Sequence, residues 1–138
     1  MPTLSKKSFD QLQTCDFRLQ RIVAIAIRVF DFTILEGHRG KELQDQYFRE
    51  GKTKLPFPLG RHNQKPSLAV DLVPFPAPKT PEEWASQETA LRFHLLAGVM
   101  KGVAVALGYR IRWGGDWNQN NLSSDERFKD FPHFEIVG

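Results

Sequence analysis

One carboxylate set in an otherwise apolar strand constrains this chain more than any other feature of its sequence. Residues 67–73 read Ser-Leu-Ala-Val-Asp-Leu-Val, a β-type run in which Asp71 has core-forming neighbours on both sides. Prolines at 74, 76, 78 and 81 then stop the strand. Because side chains alternate along a strand, Leu68, Val70 and Leu72 take one face, while Ala69 and Asp71 share the other. A buried, unpaired carboxylate is costly, so Asp71 requires either hydrogen-bond donors or a cation. An arginine partner and a bound ion both satisfy that requirement, and Asp71 alone does not choose between them.

The rest of the chain supplies helices and short strands around this one. Leu19, Ile22, Val23, Ala26, Val29 and Phe30 recur at three- and four-residue steps, which predicts an amphipathic helix over 16–30. A short helical turn is expected over 8–12, with Ser8 as its cap. Phe32–Leu35 reads as a strand running into the turn Glu36-Gly37-His38-Arg39-Gly40, and Lys41–Arg49 as a helix stopped at Gly51. Residues 52–65 lack periodicity and contain Pro56, Pro58 and Gly60, so a long loop is expected, of the kind that usually carries function. Thr80-Pro81-Glu82-Glu83 is a strong helix start, and the helix is expected to reach Leu107 and end at Gly108. Gly98 and Gly102 inside it suggest close packing or a kink. Tyr109–Trp113 and His133–Val137 close the chain as two strands, separated by a Gly-Gly-Asp turn and a polar loop. The expected class is α+β, a small antiparallel sheet packed with helices in a single domain over residues 1–138.

Composition removes several alternatives. A chain of 138 residues, 41% hydrophobic and 25% charged, supports one core and is neither disordered nor fibrous. Nineteen Lys and Arg against sixteen Asp and Glu leave a net charge of +3, too small and too dispersed to argue for nucleic acid. The lone Cys15 excludes an internal disulfide and any thiolate-rich zinc cluster, and packing is its expected role. Behind its lysines, the segment Met1–Lys7 has no apolar run, so a secretory signal is not expected. The apolar stretch Ile22–Ile27 is too short to span a bilayer, and membrane insertion is not expected either.

Two further residues join Asp71. His133 opens the last strand with Glu135 on its own face and Phe134 and Ile136 on the other. His62 ends the long loop and can fold back over the Asp71 strand. Two imidazoles and one carboxylate form a nitrogen and oxygen donor set suited to Zn²⁺, with a fourth tetrahedral position left for water. Asp130, three residues before His133, is placed to serve as general base at such a site. His94, mid-helix, reads as a helix-face residue, and His38 lies near the expected cleft. Trp113 and Trp117 flank the Gly-Gly-Asp turn, where they either line the groove or pack beneath it, and packing beneath is expected of Trp113.

Taken together, His62 to Asp71, Asp130-Phe131-Pro132-His133 and Ile111-Arg112-Trp113-Gly114-Gly115-Asp116-Trp117 resemble the zinc peptidases that include D-alanyl-D-alanine carboxypeptidases and L-alanyl-D-glutamate endopeptidases, most closely the small phage endolysins. The resemblance covers about residues 32–137. It implies that His62, Asp71 and His133 are the metal ligands, that Asp130 is the catalytic base, and that Arg39 contacts the substrate carbonyl. Three departures stand out: Gly60 replaces the family's serine, Ser67 its glycine, and the eight residues between His62 and Asp71 exceed the family interval. The resemblance further implies a peptidoglycan stem-peptide substrate, cleavage between L-alanine and D-glutamate, a monomer, and an endolysin that waits in the cytoplasm for release through a holin. The rival readings are D-alanyl-D-alanine carboxypeptidase action and a non-catalytic zinc-containing wall-binding or phage structural module.

Overall fold

The computed structural model describes residues 2–138; Met1, where the N-terminal segment read above begins, lies outside them. Helix α1 (Lys6–Leu12) is capped by Ser5, whose Oγ accepts from the Ser8 N–H at 3.1 Å. Ser8 itself is not the cap. It is buried one turn later, and its Oγ accepts from the Ile34 N–H at 3.0 Å, which ties α1 to the first strand. Helix α2 (Phe17–Val29) starts at Asp16, whose carboxylate accepts from the Arg18 N–H. Of the residues whose spacing predicted this helix, Leu19, Ile22, Val23 and Ala26 are buried, joined by Ile27, whereas Val29 is exposed at the helix end and Phe30 lies beyond it, only partly buried. Cys15 lies in the turn between the two helices, buried, and burial pushes its thiol up to about 12, so it is chemically inert.

Strand β1 (Phe32–Glu36) leads through the Gly37–Gly40 turn into α3 (Lys41–Arg49). The long segment after α3 contains one turn of 3-10 helix, Arg61–Asn63, before β2 (Ala69–Pro74). The long helix expected from Pro81 is divided in two, α4 (Pro81–Trp84) and α5 (Gln87–Leu107). Side-chain hydroxyls make the break: Ser86 Oγ and Thr89 Oγ1 both donate to the Glu83 carbonyl, at 2.7 and 2.6 Å, while Ser86 Oγ accepts from the Thr89 N–H and caps α5. Gly108, at φ 82°, ends α5 in the left-handed conformation. Gly98 and Gly102 differ from expectation, since a Cβ at either would meet nothing and α5 runs through both. The expectation about membrane length is also corrected, because α5 is long and apolar enough to cross a membrane. Here it packs Phe93, Leu96, Ala97, Met100 and Ala104 into the core.

Strands β3 (Ile111–Trp113) and β4 (His133–Ile136) complete a four-stranded antiparallel sheet of order β1-β2-β4-β3. The register divides its two faces. Ile34 pairs with Leu72, Val70 with Phe134, and Phe134 with Trp113, so one face is a continuous apolar surface beneath α2 and α5. On the opposite face Asp71 pairs with His133, and the next row is Ala69, Glu135 and Arg112. A β-bulge at Leu35 shifts the β1 register so that Glu36, and not Leu35, stands opposite Asp71. The central strands thus bury hydrocarbon on one side and present ionisable groups on the other.

Candidate metal centre and cleft

Asp71 and His133 face each other because antiparallel pairing of β2 and β4 makes them cross-strand partners. His62 reaches the same point from the 3-10 turn. Its Nδ1 lies 2.7 Å from the Gly37 carbonyl and its Nε2 3.1 Å from Asp71 Oδ1. A carbonyl only accepts, so Nδ1 carries the proton and Nε2 offers a lone pair. For His133 the outer nitrogen is Nε2, 2.8 Å from Glu135 Oε1, leaving Nδ1 3.5 Å from Asp71 Oδ1. The two outer hydrogen bonds therefore aim two imidazole lone pairs and a carboxylate oxygen at one point. The three donor atoms lie within 4.8 Å of one another. Donor atoms converging in this way suit a cation, and imidazoles oriented by a carbonyl and a carboxylate are the usual support of a bound metal.

The electrostatics agree. Burial raises the Asp71 carboxyl, but the His62 and His133 imidazoles outweigh it and hold the group well below the usual carboxylate range. Burial lowers His133, yet its hydrogen bonds to Asp71 and Glu135 prevail and push it up to about 9. In Glu135 burial is likewise outweighed, by His133 and Arg112, and the carboxyl falls to about 2. Asp130 goes the other way: burial and the nearby Asp71 charge push it up to about 6. These are the values of the metal-free protein, in which the site holds a proton that a dication would displace.

Arg39 occupies the β1 side of the site, buried, with Nε donating to Glu36 Oε1 at 2.7 Å and Nη2 also on that carboxylate. Its Nη2 is 3.6 Å from Asp71 Oδ2, so Asp71 has both an arginine and the imidazoles as partners. Its Nη1 donates to Gln44 Oε1 at 2.9 Å. Gln44 is fully buried in α3 and donates to the Leu55 carbonyl, while Asn63 Nδ2 donates to the Arg39 carbonyl. Asn63 Oδ1 accepts from the Gly60 N–H, and a Cβ at Gly60 would lie 2.8 Å from that oxygen. A side chain at the glycine that departs from the family motif would thus press on the asparagine packed against it. Gly37 is equally constrained, because a Cβ there would meet the Gln11 carbonyl at 2.6 Å and displace the acceptor of His62.

An open cleft of about 560 Å³ lies over the site, walled by residues 52–61 on one side and 117–130 on the other. His62, His133, Asp130, Arg39 and Trp117 all line it. Trp117 packs against His133 with ring centroids 5.3 Å apart, its Nε1 donating to the Phe128 carbonyl. Trp113 lies beneath the turn in the core, as expected. His38 is not among the cleft residues, and His94 sits on α5 against Trp113 and Phe131. Sequence reading missed Glu36, Gln44 and Asn63 as parts of this site. Period-two alternation did place Glu135 beside His133, although its partner Arg112 was not foreseen.

Fold and site together define a class: an α+β domain with two histidines and an aspartate grouped as a candidate metal site at an open cleft, beside a carboxylic acid of raised pKa. The phage L-alanyl-D-glutamate peptidase family matches residues 2–137, and the chain belongs to that family and is a peptidase. It is 28% identical over 137 residues to the L-alanyl-D-glutamate peptidase of Escherichia phage T5, covering 96% of each chain. The crystal structure of the Serratia marcescens L-Ala D-Glu endopeptidase ChiX superposes with a TM-score of 0.73 at 26% identity, covering 97% of this chain and 89% of that one.

Proposed function

We propose that the protein is a zinc-dependent endopeptidase that cleaves the L-alanyl–D-glutamate bond of the peptidoglycan stem peptide, in the manner of a phage endolysin. The observation that carries this reading is the convergence of His62 Nε2, His133 Nδ1 and Asp71 Oδ1, their outer nitrogens already engaged, beside Asp130 in an open cleft. Those three atoms would hold Zn²⁺, which when bound would supply the Lewis acidity for water to serve as a nucleophile near neutral pH. Asp130 takes the proton from the attacking water and returns it to the leaving amine, a task that its place in the cleft with His62 and His133 allows. Arg39, held in place by Glu36 and Gln44, orients the scissile carbonyl. The enzyme acts as a monomer on the wall after holin-mediated release from the infected cell.

Digestion of purified sacculi followed by mass spectrometry of the new termini tests the bond. Free amino groups on glutamate are expected, whereas released D-alanine would show a carboxypeptidase. Asp130→Ala is expected to keep its zinc and lose turnover by at least about a hundredfold. Full activity in that variant would refute the assignment of the base, and zinc retention with no wall cleavage by the wild type would favour a non-catalytic module.

A further inference from the structure

The cleft is not charge-symmetric about the triad. On the β4 side, Glu135 Oε2 meets two guanidinium groups, Arg112 Nη2 at 2.8 Å and Arg61 Nε at 3.6 Å. Its other oxygen is spent on His133. Two cations share one carboxylate, and the closer arginine satisfies it, so Arg61 holds its positive charge at the cleft surface without a full partner. Its side chain is 40% exposed and lines the cleft, whereas that of Arg112 is 30% exposed and does not. The backbone of Arg61 is fixed: its carbonyl accepts from the Leu68 N–H at 3.1 Å, and it immediately precedes the ligand His62. The other cations of the cleft are differently placed: Lys52 pairs with Glu50 at the rim, Lys54 lies over the Phe128 ring, Arg39 is engaged by Glu36, Gln44 and Asp71, and Arg127 stands on the wall across from Arg61.

We propose that Arg61 is a specificity-determining residue that binds the free carboxylate of the glutamyl residue on the amine side of the scissile bond. This inference rests on the proposed function. A glutamyl residue that continues the chain through one carboxyl leaves its other carboxyl free close to the bond being cut. In the cleft that anion would face the Arg61 guanidinium, and a carboxamide at the same position would forfeit the charge-assisted hydrogen bond. The residue therefore selects glutamate over its amidated counterpart, and does so through binding rather than through the chemical step.

The test uses the zinc-loaded enzyme with two soluble stem peptides that differ only in a carboxylate or a carboxamide at that position. The wild type is expected to favour the carboxylate about tenfold or more in kcat/KM, mainly through KM. Arg61→Gln should bring the ratio to within about twofold with its zinc content unchanged, and Arg61→Lys should retain part of it. Lys52→Gln should keep the full ratio. Equal cleavage of both peptides by the wild type, an undiminished preference in Arg61→Gln, or collapse of the preference in Lys52→Gln would each overturn the inference while leaving the peptidase reading intact. Cleavage of neither peptide by the wild type would overturn the proposed function, and the inference with it.

Discussion

At the scale of single residues, the site is organised by what the outer edge of each imidazole touches. Glu135 fixes the His133 tautomer, and the Gly37 carbonyl fixes that of His62. Replacing Glu135 by Gln removes the negative charge while keeping the shape, and zinc affinity is expected to fall about 10- to 100-fold in a chelator competition assay. The same geometry sets a pH dependence. His133 in the metal-free protein is pushed up to about 9, above its ordinary 6.5, so its contribution to folding is fully present below about pH 6.5 and is lost as pH rises through 9. Metal binding runs in the opposite sense, since it must expel that proton. Zinc affinity should therefore rise with pH up to about 9, by roughly tenfold per unit, and a flat profile between pH 6 and 8 would show that His133 binds zinc without losing a proton. Asp71, His133 and Glu135 were legible because alternation assigns strand side chains to faces from sequence alone. Gln44 and Asn63 were not, because a glutamine in a charged helix and an asparagine in a loop look solvent-facing until tertiary packing buries them.

At the scale of elements, short backbone irregularities place the chemistry. The bulge at Leu35 brings Glu36 to Arg39 and Asp71, and no local pattern in Phe-Thr-Ile-Leu-Glu announces it, because a bulge is fixed by the partner strand. The division of α4 from α5 was hidden for a related reason: helix-favouring composition continues through 81–107, and the break depends on where two hydroxyls find a carbonyl. Gly114 is the most constrained of these points. Its N–H donates to the His133 carbonyl and its carbonyl accepts from the Asp130 N–H, both at 2.8 Å, and a Cβ there would strike the Asp130 carbonyl. The loop that carries Asp130 is thereby held directly against the strand that carries His133. Gly114→Ala is expected to cost about 1–3 kcal/mol of stability and to lower kcat at least about tenfold while zinc remains bound. Circular dichroism melts, metal analysis and wall-lysis rates separate these effects, and unchanged kcat in a destabilised protein would mean that Asp130 tolerates the shift.

At the scale of the whole molecule, the sheet works as a partition, with the hydrocarbon core on one face and the ligand field on the other. His62, Asp71 and His133 come from a turn and two central strands, so an ion held by them would join three segments of the chain. A ligand that binds only the native state stabilises it by RT ln(1 + [L]/Kd), about 4 kcal/mol at a thousandfold excess over Kd. For a domain of this size that corresponds to a rise in Tm of about 10 °C or more. Chelation of the purified protein should therefore lower Tm by that amount, and re-addition of Zn²⁺ should restore it. Asp71→Asn provides the control, because it keeps the shape of the strand but removes the anionic ligand and should abolish the response to zinc. Phe134→Ala provides the converse, since Phe134 is fully buried on the core face between two site residues of β4 and its loss should cost about 3–5 kcal/mol. If the partition holds, that variant melts lower yet still gains stability from zinc, because its ligands are intact. If the zinc response disappears with Phe134, the two faces are energetically one unit, and the geometry of the triad depends on the packing beneath it.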